Sequence, residues 1–307
     1  MANSIDFLCI GVQKSATSWL WTNLKESKDV WMPPRKELHY FDRSIKYPSP
    51  SYLATDSLLM RCISTSKNNK LFRQKCKEEM LIALKSKDKD KIKWYVKYFF
   101  SNYNDAWYKS LFSDGEGKIK GEITPAYSLL NIDDIKHIKG LFPKLKIILI
   151  LRNPVERAWS QIRFYMTRNE LNSTSAIDEL LRYIDSPMQF MRGDYISILN
   201  NWNQVFPQEQ IFIGFYDEIN NAPLQFLQKV FNFLNIEFNE YSYKYLNTKI
   251  NKSIERDIPD VIKKHLIMKY VKEVEILSQS FAMYPKSWLL EYYEIINKNQ
   301  DIAVSKI

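Results

Sequence analysis

Four side chains able to hold an anion, Lys14, Ser15, Thr17 and Ser18, stand in one short stretch after Gly11. A lysine ammonium, hydroxyls and the unbonded N–H groups of a helix start can converge there on one phosphate or sulfate. The spacing is not that of a Walker A loop, which places four residues between its glycines and then Gly-Lys-Ser/Thr. Here Lys14 comes three residues after the only glycine of the stretch. Taken alone, an ordinary strand–helix connection with a surface lysine fits as well. A second cluster gathers Arg35, Lys36, Glu37, His39 and Asp42 beside Tyr40 and Phe41. A carboxylate one residue after a lysine and two before a histidine suits general-base work, although a solvated loop has the same composition. A third polar turn, Arg152-Asn153-Pro154, offers a guanidinium beside a residue suited to cap a helix and a proline suited to its first position.

Each cluster needs an element to aim it. The apolar run Phe7–Ile10 reads as a buried strand, and Trp19–Ser27 as the helix after the first polar turn. Leu145–Leu151, LKIILIL, is the strongest buried-strand signal, and it feeds the turn at Arg152 and a helix over Val155–Arg168. Lys118–Ile123 and Ile211–Tyr216 read as further strands. Ile132–Leu141, Tyr195–Phe206, Pro223–Leu234 and Val261–Gln300 read as helices. Strands alternating with helices imply an α/β fold with a parallel sheet flanked by helices, whose ligands lie at the carboxyl ends of the strands. Residues 44–117 interrupt this alternation as an insertion, with helical periodicity over Tyr52–Cys62 and Leu71–Leu84 and a charge run at Lys85–Lys93. Its aromatics, Trp94, Tyr95, Tyr98, Phe99, Tyr103, Trp107, Tyr108 and Phe112, recur at helical spacing. They suit core packing or, as a group, the wall of an acceptor pocket.

Composition narrows the setting. At 45% hydrophobic and 26% charged residues the chain is globular, and seven glycines and twelve prolines in 307 residues argue against long flexible linkers, so one domain over 1–307 is expected. A net charge of +9 favours anionic ligands. No zinc pattern, RNP-like motif or basic recognition helix accompanies it, which argues against nucleic acid. Cys9, Cys62 and Cys76 are an odd, scattered set suited to reduced thiols. The start MANSIDF lacks a signal-peptide pattern, and no run approaches eighteen apolar residues. The expectation is a cytoplasmic protein that does not engage a membrane.

The residues resemble the sulfotransferases that use 3′-phosphoadenosine-5′-phosphosulfate (PAPS), particularly the branch with the heparan sulfate sulfotransferases and bacterial natural-product sulfotransferase domains. GVQKSATS resembles that family's 5′-phosphosulfate loop and KELHYFD its KE-x-H-F-F-D segment. GEITPAY resembles E-K-x-P-x-Y, and LRNPVERAWSQ resembles the 3′-phosphate motif L-R-[DN]-P-x-x-R-x-x-S. GDYISILNNWNQVFPQEQIFIGFYDEINNAP resembles G-x-Y-x-x-x-L-x-x-W-x-x-x-F-P-x-x-Q-I. The resemblance implies a P-loop-like sheet, PAPS as donor, adenosine 3′,5′-bisphosphate (PAP) as product and no metal. It implies that Lys14 meets the bridging oxygen between phosphate and sulfuryl group, where charge builds as the bond breaks. Ser15, Ala16, Thr17 and Ser18 complete that cradle, and Arg152 and Ser160 hold the 3′-phosphate. Glu37 is the base that the resemblance assigns, with His39 as the alternative base or the group orienting Glu37 or the acceptor. Lys36 could assist at the sulfuryl oxygens. Lys252, Ser253 and Arg256 fall, with Lys249, in a loop of about 236–260 expected to cover the donor.

Two positions depart from the pattern. Ala16 replaces the usual glycine, so the turn must tolerate a Cβ. Ile123-Thr124 replaces Lys-Thr or Lys-Ser, which removes a cation whose role could pass to Lys120 or be lost. The aromatic insertion and the lack of a long basic cleft point to a small-molecule acceptor, possessing a hydroxyl or less favourably an amine, as in secondary metabolism. A glycosaminoglycan is the alternative. A P-loop kinase predicts ATP preference and Mg²⁺ dependence and lacks its Gly-Lys pair here. A non-catalytic binder of anionic polymers predicts indifference to loss of Glu37. Oligomeric state is not encoded in any of these features.

Overall fold

The computed structural model describes residues 4–48, 54–168, 177–238, 243–248, 250 and 256–304. In chain order the elements are β1 (Phe7–Gly11), α1 (Thr17–Glu26) and β2 (Val30–Trp31), then α2 (Leu58–Ile63), α3 (Lys67–Ser86), α4 (Lys89–Phe99) and α5 (Asp105–Ser110). There follow β3 (Ile119–Ile123), α6 (Ile132–Leu141), β4 (Lys146–Leu151), α7 (Pro154–Arg168), α8 (Ile177–Ile184), α9 (Pro187–Gly193) and α10 (Tyr195–Asn203). The chain continues with β5 (Ile211–Phe215), α11 (Tyr216–Asn221), α12 (Pro223–Leu234), α13 (Asp260–Ser280) and α14 (Tyr284–Val304).

The strands form one parallel sheet in the order β2-β3-β1-β4-β5. Period-two alternation sends Phe7, Cys9, Ile148 and Ile150 into a core under α1 and α12. Leu8, Ile10, Ile147, Leu149 and Leu151 enter the larger core on the other face, with α6, α7, α10 and α13. Helices on both faces explain why β4 is apolar from Ile147 to Leu151 instead of alternating. Gly121 is required by packing: a Cβ there would come within 2.2 Å of the Phe7 ring.

The insertion is helical, as its periodicity predicts. Trp94, Tyr98, Phe99, Trp107, Tyr108 and Phe112 are all buried in the main core, with Trp94 stacked on Tyr98 and Tyr103 on Trp107. Core packing, the first of the two readings of these rings, therefore accounts for them. The tail, expected to be helical over Val261–Gln300, forms two helices, α13 and α14, separated by residues 281–283. Among the described residues no helix is long and apolar enough to cross a membrane.

Candidate active site

β1 and β4 deliver the two anion-binding turns side by side. At the end of β1 the Val12 N–H donates to the Ile150 carbonyl (2.9 Å), keeping the chain against β4 until the turn. A Cβ on Gly11, whose φ is +136°, would lie 2.7 Å from the Pro125 carbonyl, so this strand end admits only glycine without displacement. The turn then uses left-handed backbone at Lys14 (φ 72°) and Ala16 (φ 56°). That conformation explains the family's preference for glycine at position 16; an alanine occupies it at a strain of about 1–2 kcal/mol. Ala16 is the N-cap of α1 and supplies no side-chain cap. The first helical turn therefore starts without a side-chain cap, and its N–H groups carry the positive end of the dipole.

Ser15 is fully buried, and its Oγ has no hydrogen-bond partner. Thr17 is buried and Ser18 partly so. The Lys14 ammonium lies 4.4 Å from the centre of the Phe164 ring. Burial pushes its pKa down to about 8, with the Arg152 and Arg163 cations pushing the same way.

Arg152 joins the second turn to the first. Its Nη1 donates to the Lys14 carbonyl (3.1 Å), its Nη2 to Glu156 Oε2 (3.2 Å), and its guanidinium lies 4.2 Å from the Tyr216 ring centre. The side chain is 12% exposed, and its buried Nε has no partner. Asn153 caps α7 as its sequence position predicts: its Oδ1 accepts the N–H groups of Val155 (3.0 Å) and Glu156 (3.4 Å) and the Tyr292 hydroxyl (2.6 Å). Ser160 stands one helical turn after Glu156, the partner of Arg152, and one turn before Phe164, the partner of Lys14. Positions 156, 160 and 164 share a helix face at this spacing, so Ser160 lies along the face that meets both turns.

The loop of residues 36–42 closes the site from the β3 side. Lys36 Nζ donates to Glu37 Oε1 (2.7 Å) and Thr17 Oγ1 (3.4 Å), linking the carboxylate directly to the first turn. Glu37 Oε2 is 3.5 Å from His39 Nε2, and His39 Nδ1 donates to Asp42 Oδ2 (2.7 Å). Asp42 is completely buried. Burial opposes charge on Glu37, but the hydrogen bond from His39 and the charge and hydrogen bond of Lys36 outweigh it and hold the carboxyl at about 2. Burial likewise opposes charge on His39, yet the carboxylates of Asp42 and Glu37 raise it to about 9. At neutral pH the cluster is therefore a carboxylate–imidazolium–carboxylate chain.

The structure thus brings together Lys14, Ser15, Ala16, Thr17, Ser18, Glu37, His39, Arg152 and Ser160. Lys252 and Ser253 lie outside the described residues, as does Lys249. Arg256 is exposed, and its carbonyl accepts from Trp159 Nε1 (2.8 Å) on the helix that carries Ser160. Lys120 cannot replace the missing cation of position 123: it lies at the entry of β3, lining a 760 Å³ cavity with Asp6, Asp29 and Lys144 at the opposite pole of the sheet. Sequence reasoning places Asp42 in the second cluster without a role, and misses Glu156 and Phe164. Asp42 had a legible signal, since it falls three residues after His39; the other two are apparent only once α7 is seated.

These residues fit a polyanion of two phosphate-like ends. Buried Ser15 Oγ and Arg152 Nε lack partners, the start of α1 is uncapped, and Lys14 is held below its ordinary pKa among cations.

A family model described as "Sulfotransferase family" matches residues 6–240. The chain is 28% identical over 148 residues to the mouse (Mus musculus) heparan sulfate glucosamine 3-O-sulfotransferase 6, a match spanning 46% of this chain and 43% of that enzyme. Its fold is similar to the crystal structure of a sulfotransferase from Alicyclobacillus acidocaldarius, with a TM-score of 0.58, 21% identity and coverage of 93% of this chain and 98% of that one. It is also similar to the sulfotransferase domain of the Synechococcus PCC 7002 olefin synthase, with a TM-score of 0.50, 16% identity and coverage of 88% and 94%. At these identities the structural likeness is one of fold.

Proposed function

Since the chain belongs to the sulfotransferase family, we propose that it transfers a sulfuryl group from PAPS to a hydroxyl of a small-molecule acceptor. The observation that carries this reading is the unbroken contact from Thr17 through Lys36 to Glu37, which sets a proton acceptor beside an anion cradle. PAPS supplies the activated sulfuryl group. Ser15, Ala16, Thr17, Ser18 and Lys14 hold its 5′ side, and Arg152 and Ser160 its 3′-phosphate, with Lys252, Ser253 and Arg256 assigned to the covering loop. Lys14 places a fixed ammonium where charge develops in the transition state.

Glu37 takes the acceptor proton. As it stands, its carboxylate is a weak base, because Lys36 and His39 both stabilise its charge. Lys36 Nζ already contacts both Glu37 and Thr17, so it can shift towards an anion in the cradle and leave Glu37 Oε1 free to accept the proton. His39, charged and fixed by Asp42, orients the other carboxylate oxygen.

Two features favour a small acceptor over a polyanion. Phe164, 43% exposed beside Lys14, offers an apolar surface at the transfer point. The cations around the base loop are occupied: Arg35 pairs with Glu79, Arg43 with Asp56 (2.7 Å) and Lys46 with Asp134 (2.8 Å). The similarity to the heparan-modifying mouse enzyme favours a saccharide instead. Labelled PAPS offered to a panel of hydroxyl compounds, amines and unsulfated polysaccharides decides between them, and a polysaccharide as best acceptor would reject the small-molecule reading. The odd, scattered cysteines support a reducing, cytoplasmic setting. The donor assignment is tested by calorimetry with PAP: the double variant Lys14→Ala/Arg152→Ala should bind at least 100-fold more weakly, on the order of 3 kcal/mol for two charge-assisted contacts. Equal binding by the variant would refute it.

A further inference from the structure

The base loop holds two non-glycine residues in left-handed backbone, Glu37 (φ 63°) and His39 (φ 53°). Such residues persist only where the surroundings over-determine them. Here the surroundings are specific. The Glu37 N–H donates to the Ile123 carbonyl (3.2 Å), and the Tyr40 N–H donates to the Tyr127 hydroxyl (2.8 Å). Between them the Leu38 N–H is shared by Glu122 Oε2 (3.2 Å) and Thr124 Oγ1 (3.0 Å). Glu122 is 1% exposed. Its Oε2 also accepts from Thr124 Oγ1 (2.8 Å), and its Oε1 accepts from the Tyr108 hydroxyl (2.6 Å) of α5. Tyr98 of α4 completes the grip by donating to the Leu38 carbonyl (3.3 Å).

We infer that Glu122 is a positioning residue for the reaction, fixing the amide between Glu37 and His39 so that both side chains meet the site. It touches neither the cradle nor the acceptor side; it acts through the loop. The same contacts give the insertion a task. Its tyrosines, Tyr98 and Tyr108, clamp the base loop and its strut from outside. Burial pushes the Glu122 carboxyl's pKa up, while the hydrogen bonds from Tyr108, Thr124 and the Leu38 N–H favour the carboxylate, which can accept from all three donors at once. A glutamine of the same shape presents an NH₂ on one side, so the Tyr108 or Thr124 hydroxyl facing it must turn from donor to acceptor and the buried pattern that holds the Leu38 N–H is rearranged.

The inference rests on the proposed roles of Glu37 and His39, so its test pairs an activity readout with one that is independent of activity. Glu122→Gln is compared with wild type for kcat, PAP affinity and thermal stability, and His39 is titrated by NMR, which is tractable with only three histidines in the chain. The expected result is a folded variant with PAP affinity within about threefold of wild type and kcat reduced about 10- to 100-fold. His39, whose raised titration depends on Asp42 and Glu37 held against it, should titrate well below about 9. Unchanged kcat and an unchanged His39 titration would overturn the inference. If Glu122→Gln does not fold, Tyr127→Phe, which removes the acceptor of the Tyr40 N–H, is judged by the same two readouts. If wild type transfers no sulfuryl group, the functional reading fails, and the His39 titration alone still supports or overturns the positioning role.

Discussion

At the scale of single residues the site is a set of perturbed charges, and their perturbations separate two mechanisms. Lys14 loses its proton as pH rises through about 8 in the free enzyme, because burial and neighbouring cations favour the neutral amine. A bound polyanion favours the ammonium and moves that loss to higher pH. kcat/KM for the donor should therefore be level near neutrality and fall above about pH 8, whereas kcat should hold to higher pH. The base is identified by the same profile. Glu37 is ionised at any pH above about 2, so with Glu37 as base kcat is flat through neutrality. With His39 as base the active form would be the neutral imidazole, and kcat would climb tenfold per pH unit up to about 9. A pH–rate profile under saturating donor distinguishes them, and a rising limb between pH 6 and 9 would assign the base to His39.

At the scale of elements the site depends on where strands stop and helices begin. Asn153 caps α7 while also receiving the Tyr292 hydroxyl, and the residue before it is Arg152. Asn153→Ala should cost about 1 kcal/mol in stability and weaken PAP binding through the displaced guanidinium. A thermal melt and a binding isotherm check both, and loss of stability without loss of affinity would separate the cap from the site. This cap was legible in the sequence, as were β4 and the bounds of α6 and α12, because long apolar runs and Asn-Pro turns act locally. The two polar turns were legible for the same reason. The short helices α8, α9 and α11 were not foreseen, since few residues per helix give little periodicity to read. The spacing of the insertion's aromatics leaves core packing and a pocket wall both open, because it shows that rings share a face and not what covers the face. The partners of the base loop were equally hidden: Glu122 and Tyr108 reach it across the fold, and nothing local in GEITPAY announces that contact.

At the scale of the whole molecule, the site concentrates positive charge that Glu37 and Glu156 offset only in part, and folding must tolerate the rest. Lys14 is the clearest case. Its pKa of about 8 in the folded chain, against 10.5 ordinarily, means that the folded state disfavours its charge at neutral pH. The unfolded chain binds the extra proton between about 8 and 10.5, so this group's destabilisation is complete below pH 8 and is relieved as pH rises through that window. At about 1.4 kcal/mol per unit, reduced for partial solvent access, the penalty is about 1–3 kcal/mol. Lys14→Met removes it. The unliganded variant should melt a few degrees higher than wild type at pH 7, and the difference should shrink towards pH 10. PAP should reverse the order, since a ligand at 100 times its Kd stabilises wild type by about 2.7 kcal/mol while the variant, which binds it weakly, gains little. Melts of both proteins at pH 7 and 10, with and without PAP, check every part of this. A Lys14→Met variant less stable than wild type without ligand would show that the ammonium is already compensated in the fold, and that its role in holding the donor carries no cost in stability.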